Sequence, residues 1–248
     1  HVLSDHPAKA FQHKPKSSIS IGYQMLAKKE ISGFASAGST GAMLVGAMYM
    51  SKPIPGIIRP VICSPLPNIS DQHGICLDVG LNPDAKAEVL YQYAILGSIY
   101  MQTVFGIEKP SVALLSIGSE EEKGNLVSKA VYTMLKSSGL NFIGNIEGTD
   151  LYYKHPADVV VCDGFVGNIL LKASEAFYHL TRKLGLKHEQ MEKFNYENIG
   201  GTPILGVNDI AIIGHGISSD RAIMNMIKQT YQVAKSNLIE KINAAFKE

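Results

Sequence analysis

Val159-Val160-Val161-Cys162-Asp163-Gly164-Phe165-Val166-Gly167-Asn168 reads as strand, turn and helix start in succession. An unbroken β-branched run without polar alternation predicts a strand covered on both faces, as strands of parallel sheets are. The acid and the two glycines end that run. A helical pattern follows over 166–184, so Asp163 and Asn168 stand at a strand's carboxyl end, either capping the helix or facing a ligand.

The same order repeats in both directions along the chain. Apolar runs at 34–36, 61–64, 75–79, 112–117, 142–146, 159–162 and 210–214 predict strands, and most are continuous. Helical patterns are predicted over 17–29, 40–50, 84–105, 121–137, 166–184 and 220–246. In the third of these, Val89, Tyr93, Leu96 and Tyr100 recur every three or four residues behind the start signal Asn82-Pro83. Strands alternating with helices predict an α/β fold, a mainly parallel sheet with helices on both faces. No repeat or linker divides residues 1–248, which read as one α/β domain. Ligands of such sheets bind beyond the carboxyl ends of the strands.

Composition narrows the function. The chain has 248 residues, 46% hydrophobic and 18% charged, with a formal net charge of +1. That suits a soluble protein with a large core and offers no field for nucleic acid. Cys63, Cys76 and Cys162 lie in apolar runs with no C-x-x-C pair, the usage of buried free thiols in a reducing compartment. There is no nucleophile elbow, no P-loop and no zinc-ligand spacing, so neither a metal nor another cofactor is expected. Arginine occurs only as Arg59, Arg182 and Arg221, too few planar donors to grip a di- or tricarboxylic acid.

Six polar, glycine-containing segments follow the predicted strands. In Ser36-Ala37-Gly38-Ser39-Thr40-Gly41 the glycines permit close approach to the backbone, and the helix amides beyond suit an anion. Ser39 or Thr40 as a simple N-cap is the other reading. Asp78 either lines the cleft or bonds its own loop amides, and Asn82 either meets a ligand or caps a helix. After Gly118, three acids suit a first helical turn, while Lys123, beside Gly124 and Asn125, is either a phosphate-directed charge or a solvated lysine. Asn145 to Gly148, with Glu147, is a turn or a weak ligand loop. Gly164 and Gly167 belong to a ligand loop or a tight turn. His215, at the end of the last strand, suits a general acid or phosphate donor unless it is structural.

Taken together, Ser36 to Ala42, Leu77 to Gly80, Leu115 to Gly118 with Glu120 to Asn125, Phe142 to Gly148, and Val161 to Asn168 resemble the bacterial phosphate acyltransferase family (PlsX). Gly200-Gly201-Thr202-Pro203, Leu205-Gly206 and His215-Gly216 continue the match in order. The resemblance implies acyl transfer from acyl carrier protein to inorganic phosphate, giving an acyl phosphate for phospholipid synthesis. It implies a cytoplasmic homodimer and the three-layer α/β/α fold of phosphotransacetylases and isocitrate/isopropylmalate dehydrogenases. A coenzyme A-dependent phosphate acetyl- or butyryltransferase and a non-catalytic carrier-binding scaffold are the alternatives.

This chain departs from the family pattern in four places. Ser39 stands where the family usually has Asn, and Ile217 where it usually has Ser. The stretch between Leu180 and Phe194 is short against relatives whose helices there project, build the dimer and approach the membrane, so peripheral membrane contact is left open. The family's amino-terminal D-x-M-G-G-D strand and loop are missing from the sequence given. Within the resemblance, Gly38 to Gly41 would hold phosphate and Lys123 would offset charge. Asn168 or His215 would donate to the oxyanion or leaving sulfur, with Asp78, Glu147 and Asp163 orienting them. Ser36, Asn82, Gly118, Asn125, Asn145, Gly164 and Gly167 complete the expected binding set.

Overall fold

The valine run folds as a strand with Val159, Val160 and Val161 all buried. The computed structural model describes residues 14–69, 72, 74–153 and 156–247. In chain order the elements begin with α1 (Ser18–Ala27), β1 (Phe34–Ser36), α2 (Thr40–Gly46), which runs into a π-helical turn at Ala47–Ser51, and β2 (Val61–Pro65). Next come β3 (Ile75–Leu77), α3 (Ala87–Val104), β4 (Ser111–Leu115), α4 (Leu126–Lys136), β5 (Asn141–Ile146), α5 (Asp150–Tyr153) and β6 (Val159–Val161). The chain ends with α6 (Gly164–Lys183), a 3₁₀ segment at Glu189–Phe194, α7 (Tyr196–Ile199), β7 (Gly201–Leu205), β8 (Ala211–Gly214), α8 (Asp220–Lys235) and α9 (Leu238–Ala245). These elements form two units: unit 1 holds the segments up to Pro60 and from Tyr196 onward, and unit 2 is Val61–Asn195.

Unit 2 carries strands in the order β2-β3-β6-β4-β5. β3, β6, β4 and β5 are parallel, so the turns that follow all four leave the same edge; β2 runs antiparallel to β3. The spacing of apolar residues in α3 does what it predicts, burying Val89, Tyr93, Leu96 and Tyr100. Each such side chain contributes roughly 1.5–3 kcal/mol when fully buried. Gly97 lets α3 lie close to the sheet, since a Cβ there would stand 2.6 Å from Val159 Cγ1.

Unit 1 carries β1 parallel to β8 and β7 antiparallel to β8. The turns after β1 and β8 therefore leave one edge. Tyr23 of α1 is fully buried and donates its hydroxyl to the Met43 carbonyl at 2.6 Å. Asn208 Nδ2 donates to the carbonyls of Ser51, Lys52 and Pro53, satisfying the end of the π-helical turn.

The fold is α/β with mostly parallel strands, as the alternation of patterns predicts. Several boundaries differ from the expectation. The helix expected over 84–105 starts at Ala87, with Lys86 at its N-cap, because Asn82 is engaged by Asp78. The helix expected over 121–137 starts at Leu126, capped by Asn125. The three acids thus precede it in a turn closed by Lys123 N–H donating to the Glu120 carbonyl at 3.1 Å. The pattern over 220–246 is two helices, parted where Asn237 takes φ 53°. β7 was not expected, because Gly200-Gly201-Thr202-Pro203 reads locally as a turn. No described helix is long and apolar enough to cross a membrane.

Candidate active site

In unit 2 the turns after β3 and β6 interlock. Asp78 is fully buried. Its Oδ1 accepts from the amides of Gly80 and Leu81, both at 3.0 Å. Its Oδ2 accepts from the Asn82 amide at 2.6 Å and from Asn82 Nδ2 at 3.0 Å. Burial raises the Asp78 pKa above its usual 3.8, and the four donors pull it only part of the way back. Asp78 therefore bonds its own loop, and Asn82, also buried, is its partner rather than the cap of α3.

The start of α6 is pressed onto this turn. Gly164 N–H donates to the Asn82 carbonyl at 2.9 Å. A Cβ at Gly164 would lie 2.9 Å from Asp78 Oδ2, and one at Gly167 only 1.9 Å from the Asp78 carbonyl oxygen. Gly167 is thus required by packing of backbone on backbone, and so is Gly164, whose Cβ would also stand 2.8 Å from the Asn82 amide nitrogen. Asp163 caps α6, its Oδ1 accepting from the Val166 amide at 2.8 Å. Asn168 is exposed, and its Nδ2 donates to the Val79 carbonyl at 3.3 Å. A strand-end aspartate and a helix-start asparagine far apart in sequence are so brought together.

Beneath them lie the thiols. Cys76 Sγ and Cys162 Sγ are 3.7 Å apart, and Cys162 Sγ is 3.5 Å from the Asp78 carbonyl. Cys63, Cys76 and Cys162 are buried free cysteines. Contact with the Cys76 sulfur, then burial, holds the Cys162 thiol well above its usual range, and burial does the same for Cys63. A thiol held protonated in this way is a poor nucleophile.

The turns after β4 and β5 form a second cluster. Lys123 is exposed, and Gly118 accommodates it: a Cβ at Gly118 would stand 2.7 Å from Lys123 Cγ. Gly124 takes φ +105°, and Asn125 Oδ1 accepts from the Ser128 amide at 2.9 Å as the cap of α4. Asn145 is buried and its Nδ2 donates to the Glu120 carbonyl at 2.8 Å, tying β5 to this loop. Among the described residues its Oδ1 and Ser116 Oγ are buried without a hydrogen-bond partner. Ser116 is absent from the expected set, although its place at the end of β4 was a usable signal. Glu147 begins the turn into α5, its amide donating to Asp150 Oδ2 at 3.1 Å.

In unit 1, Ser36 Oγ accepts from the Gly38 amide at 3.1 Å and Ser39 caps α2, its Oγ accepting from the Ala42 amide at 3.3 Å. Thr40 and Gly38 are exposed, while Gly41 is partly buried. A Cβ on Gly214, at the end of β8, would stand 3.3 Å from Ala37 Cβ, so the turn after β1 lies beside the strand that delivers His215. His215 is half-buried, and its Nδ1 accepts from the Ile217 amide at 3.4 Å. The neutral ring therefore carries its proton on Nε2, which leaves a donor. Tyr196, also absent from the expected set, stacks on the His215 ring at 4.9 Å between centroids.

Comparison with known proteins finds relatives along nearly the whole chain. A family model described as "Fatty acid synthesis protein" matches residues 2–193. The phosphate acyltransferase of Desulfitobacterium hafniense (strain DSM 10664 / DCB-2) is 42% identical over 260 residues, covering 97% of this chain and 77% of that protein. The phosphate acyltransferase of Acidobacterium capsulatum is 38% identical, covering 99% of this chain and 78% of that protein. Among solved structures, EutD phosphotransacetylase from Staphylococcus aureus has a TM-score of 0.62 at 17% identity, over 92% of this chain and 74% of that one. A branched-chain phosphotransacylase from Enterococcus faecalis V583 has a TM-score of 0.64 at 13% identity, over 89% of this chain and 81% of that one. At such identities the structures speak to the fold.

Proposed function

The chain belongs to the phosphate acyltransferase family, and on that basis we propose that it transfers an acyl group from the thioester of acyl carrier protein to inorganic phosphate. The observation that carries this reading is the 42% identity to a phosphate acyltransferase over 97% of the chain. The product is an acyl phosphate for phospholipid synthesis. A phosphate oxygen adds to the thioester carbonyl, the tetrahedral intermediate collapses, the C–S bond breaks and the carrier thiol leaves. Phosphate dianion is already nucleophilic and a thiol of pKa about 8.5 leaves readily, so alignment and charge stabilisation are what the protein must supply.

Roles follow from the chemistry of each group. In unit 1 the Gly38-to-Gly41 turn, with the Ser36, Ser39 and Thr40 hydroxyls, holds phosphate, and His215 Nε2–H donates to developing negative charge. In unit 2 Lys123 offsets charge and Asn168 donates from the start of α6. Asp78 holds the β3 turn on which α6 rests, and Asp163 sets the helix start. Glu147, Asn145, Gly118 and Asn125 shape the loop that presents Lys123. The raised thiol pKa values favour direct attack by phosphate over an acyl-cysteine intermediate.

A homodimer is the proposed assembly. Phe165, Ile169, Phe177, Leu180 and Leu184 lie 51–66% exposed at helical spacing along and just past α6, an apolar stripe suited to a second copy. Light scattering that gives a monomer at micromolar concentration would refute it. At the end of the stripe, Leu184 and Leu186 are flanked by Lys183 and Lys187, a composition suited to peripheral contact with an anionic bilayer from the cytoplasm. Vesicle flotation tests that contact.

The activity is tested by following phosphate-dependent release of free thiol from a C16-acyl carrier protein, with acyl-coenzyme A donors alongside. The carrier thioester is the expected donor. Lys123→Ala should lower kcat/KM about 100-fold with unchanged unfolding, because Lys123 is exposed. Preference for coenzyme A would support the phosphotransacetylase reading instead, and carrier binding without turnover the scaffold reading.

A further inference from the structure

His215 sits on a short, solvent-facing turn, and its ring needs something to fix it. The turn itself closes by Ser218, whose amide and hydroxyl donate to the His215 carbonyl at 3.0 and 2.6 Å. Those bonds fix the main chain and leave the imidazole free to rotate. The ring's own restraints are the Ile217 amide on Nδ1 and the Tyr196 ring, 4.9 Å away and tilted by 36°. The two restraints are linked, because the Tyr196 hydroxyl donates to the Ile217 carbonyl at 3.2 Å. One side chain thus stacks on the imidazole and also holds the peptide residue that sets its tautomer.

Tyr196 is itself firmly mounted. It begins α7, which lies against α8: Asn225 Nδ2 donates to the Glu197 carbonyl at 2.8 Å, and a Cβ at Gly200 would stand 2.6 Å from the Met226 amide nitrogen. The Asn225 bond and the close approach of Gly200, just after α7, hold Tyr196 to α8 and not merely to its own loop.

We propose that Tyr196 is the positioning residue for His215, holding the imidazole in place by stacking and keeping the proton on Nε2 through Ile217. This rests on the reading that His215 donates during acyl transfer. A donor that must meet charge appearing in the transition state loses efficiency when it wanders, and displacement by about 1 Å costs about 100-fold. Tyr196→Leu, which removes both ring and hydroxyl, should lower kcat about 10- to 100-fold while KM for phosphate stays within about 2-fold. Tyr196→Phe keeps the ring and loses only the bond to Ile217, and should cost about 3- to 10-fold. Introduced into His215→Ala, neither change should cost anything further, because both act through the imidazole. Losses that multiply in the double variants overturn the proposal.

A second readout is independent of turnover. Ring nitrogen NMR of His215, at a pH where the imidazole is neutral, should show unprotonated Nδ1 and protonated Nε2 in the wild type, and averaging between tautomers in Tyr196→Leu. Identical ring signals in the two proteins overturn the proposal whatever the assays show. Full activity in His215→Ala would instead remove His215 from the reaction, and the ring signals alone would then judge Tyr196.

Discussion

Gly167 in unit 2 and Gly38 in unit 1 both stand where a strand's carboxyl end passes into a helix, Gly167 in the first turn of α6 and Gly38 just ahead of the cap of α2. A Cβ on Gly167 would fall 1.9 Å from the Asp78 carbonyl oxygen and 3.0 Å from Cys162 Sγ. A Cβ on Gly38 would meet the tip of Ile19 at 2.9 Å and Ser36 Oγ at 3.2 Å, both ends of side chains that can move. The unit 2 glycine is thus dictated by a neighbouring backbone and the unit 1 glycine is not. Glycine after a strand can mean that the protein fills the space itself, or that the space is left for something else. Gly38, exposed and lightly restrained, fits the second meaning.

The largest effect tests the first meaning. Gly167→Ala must drive α6 away from the β3 turn or distort both, and should cost about 3 kcal/mol of unfolding free energy, read from the shift of a urea denaturation midpoint. A cost near zero would show that α6 does not rest on the Asp78 turn at all.

Asp78 comes next. Asp78→Asn turns one acceptor into a donor facing Asn82 Nδ2 and three loop amides, and should cost about 2 kcal/mol near neutral pH. The cost should also depend on pH, with a sign set by burial. Because the folded pKa lies above 3.8, the folded protein holds this proton more tightly than the unfolded chain. The wild type's stability from this group is therefore greatest below 3.8 and is lost as pH rises through the raised folded value. The asparagine variant lacks that component, so the gap between the two proteins should narrow as pH rises. A gap that widens with pH would mean that the four hydrogen bonds, not burial, dominate the carboxyl.

How much of this was legible in the sequence depended on whether the deciding contact was local. Val159 to Val161 could be read as a buried strand because β-branched continuity is itself the signal. The face of α3 could be read because Val89, Tyr93, Leu96 and Tyr100 repeat at the helical period. β7 could not, because it exists through pairing with β8, while its own Gly201-Thr202-Pro203 argues for a turn. The start of α3 was misread for a related reason: Asn82-Pro83 is a good start signal locally, but a buried carboxylate claims Asn82 first. At the candidate site, residue types pointed to Asp78, Asp163, Asn168 and His215, while their partners did not follow from spacing. That Asn168 bonds the Val79 carbonyl, or that Tyr196 stacks on His215, is a product of tertiary contact alone.

The smallest structural effect carries the most information about function. At Gly38 the added methyl meets the Ile19 tip, which can rotate aside, so Gly38→Ala should change the unfolding free energy by less than about 1 kcal/mol. If the turn holds phosphate through its backbone, the same methyl, crowding Ser36 Oγ and the bond it accepts from the Gly38 amide, disturbs the amides that would meet the anion. KM for phosphate should then rise by about 10-fold, with kcat for the acyl donor little changed, because the lost interaction is one made in the ground state as well as the transition state. Ser39→Ala would not separate these effects, since Ser39 Oγ also caps α2 through the Ala42 amide. Gly38→Ala does separate them: an unchanged KM together with unchanged stability would leave the Ser36-to-Gly41 turn as a capped helix start, built by the same rules as the unit 2 turn and with no ligand of its own.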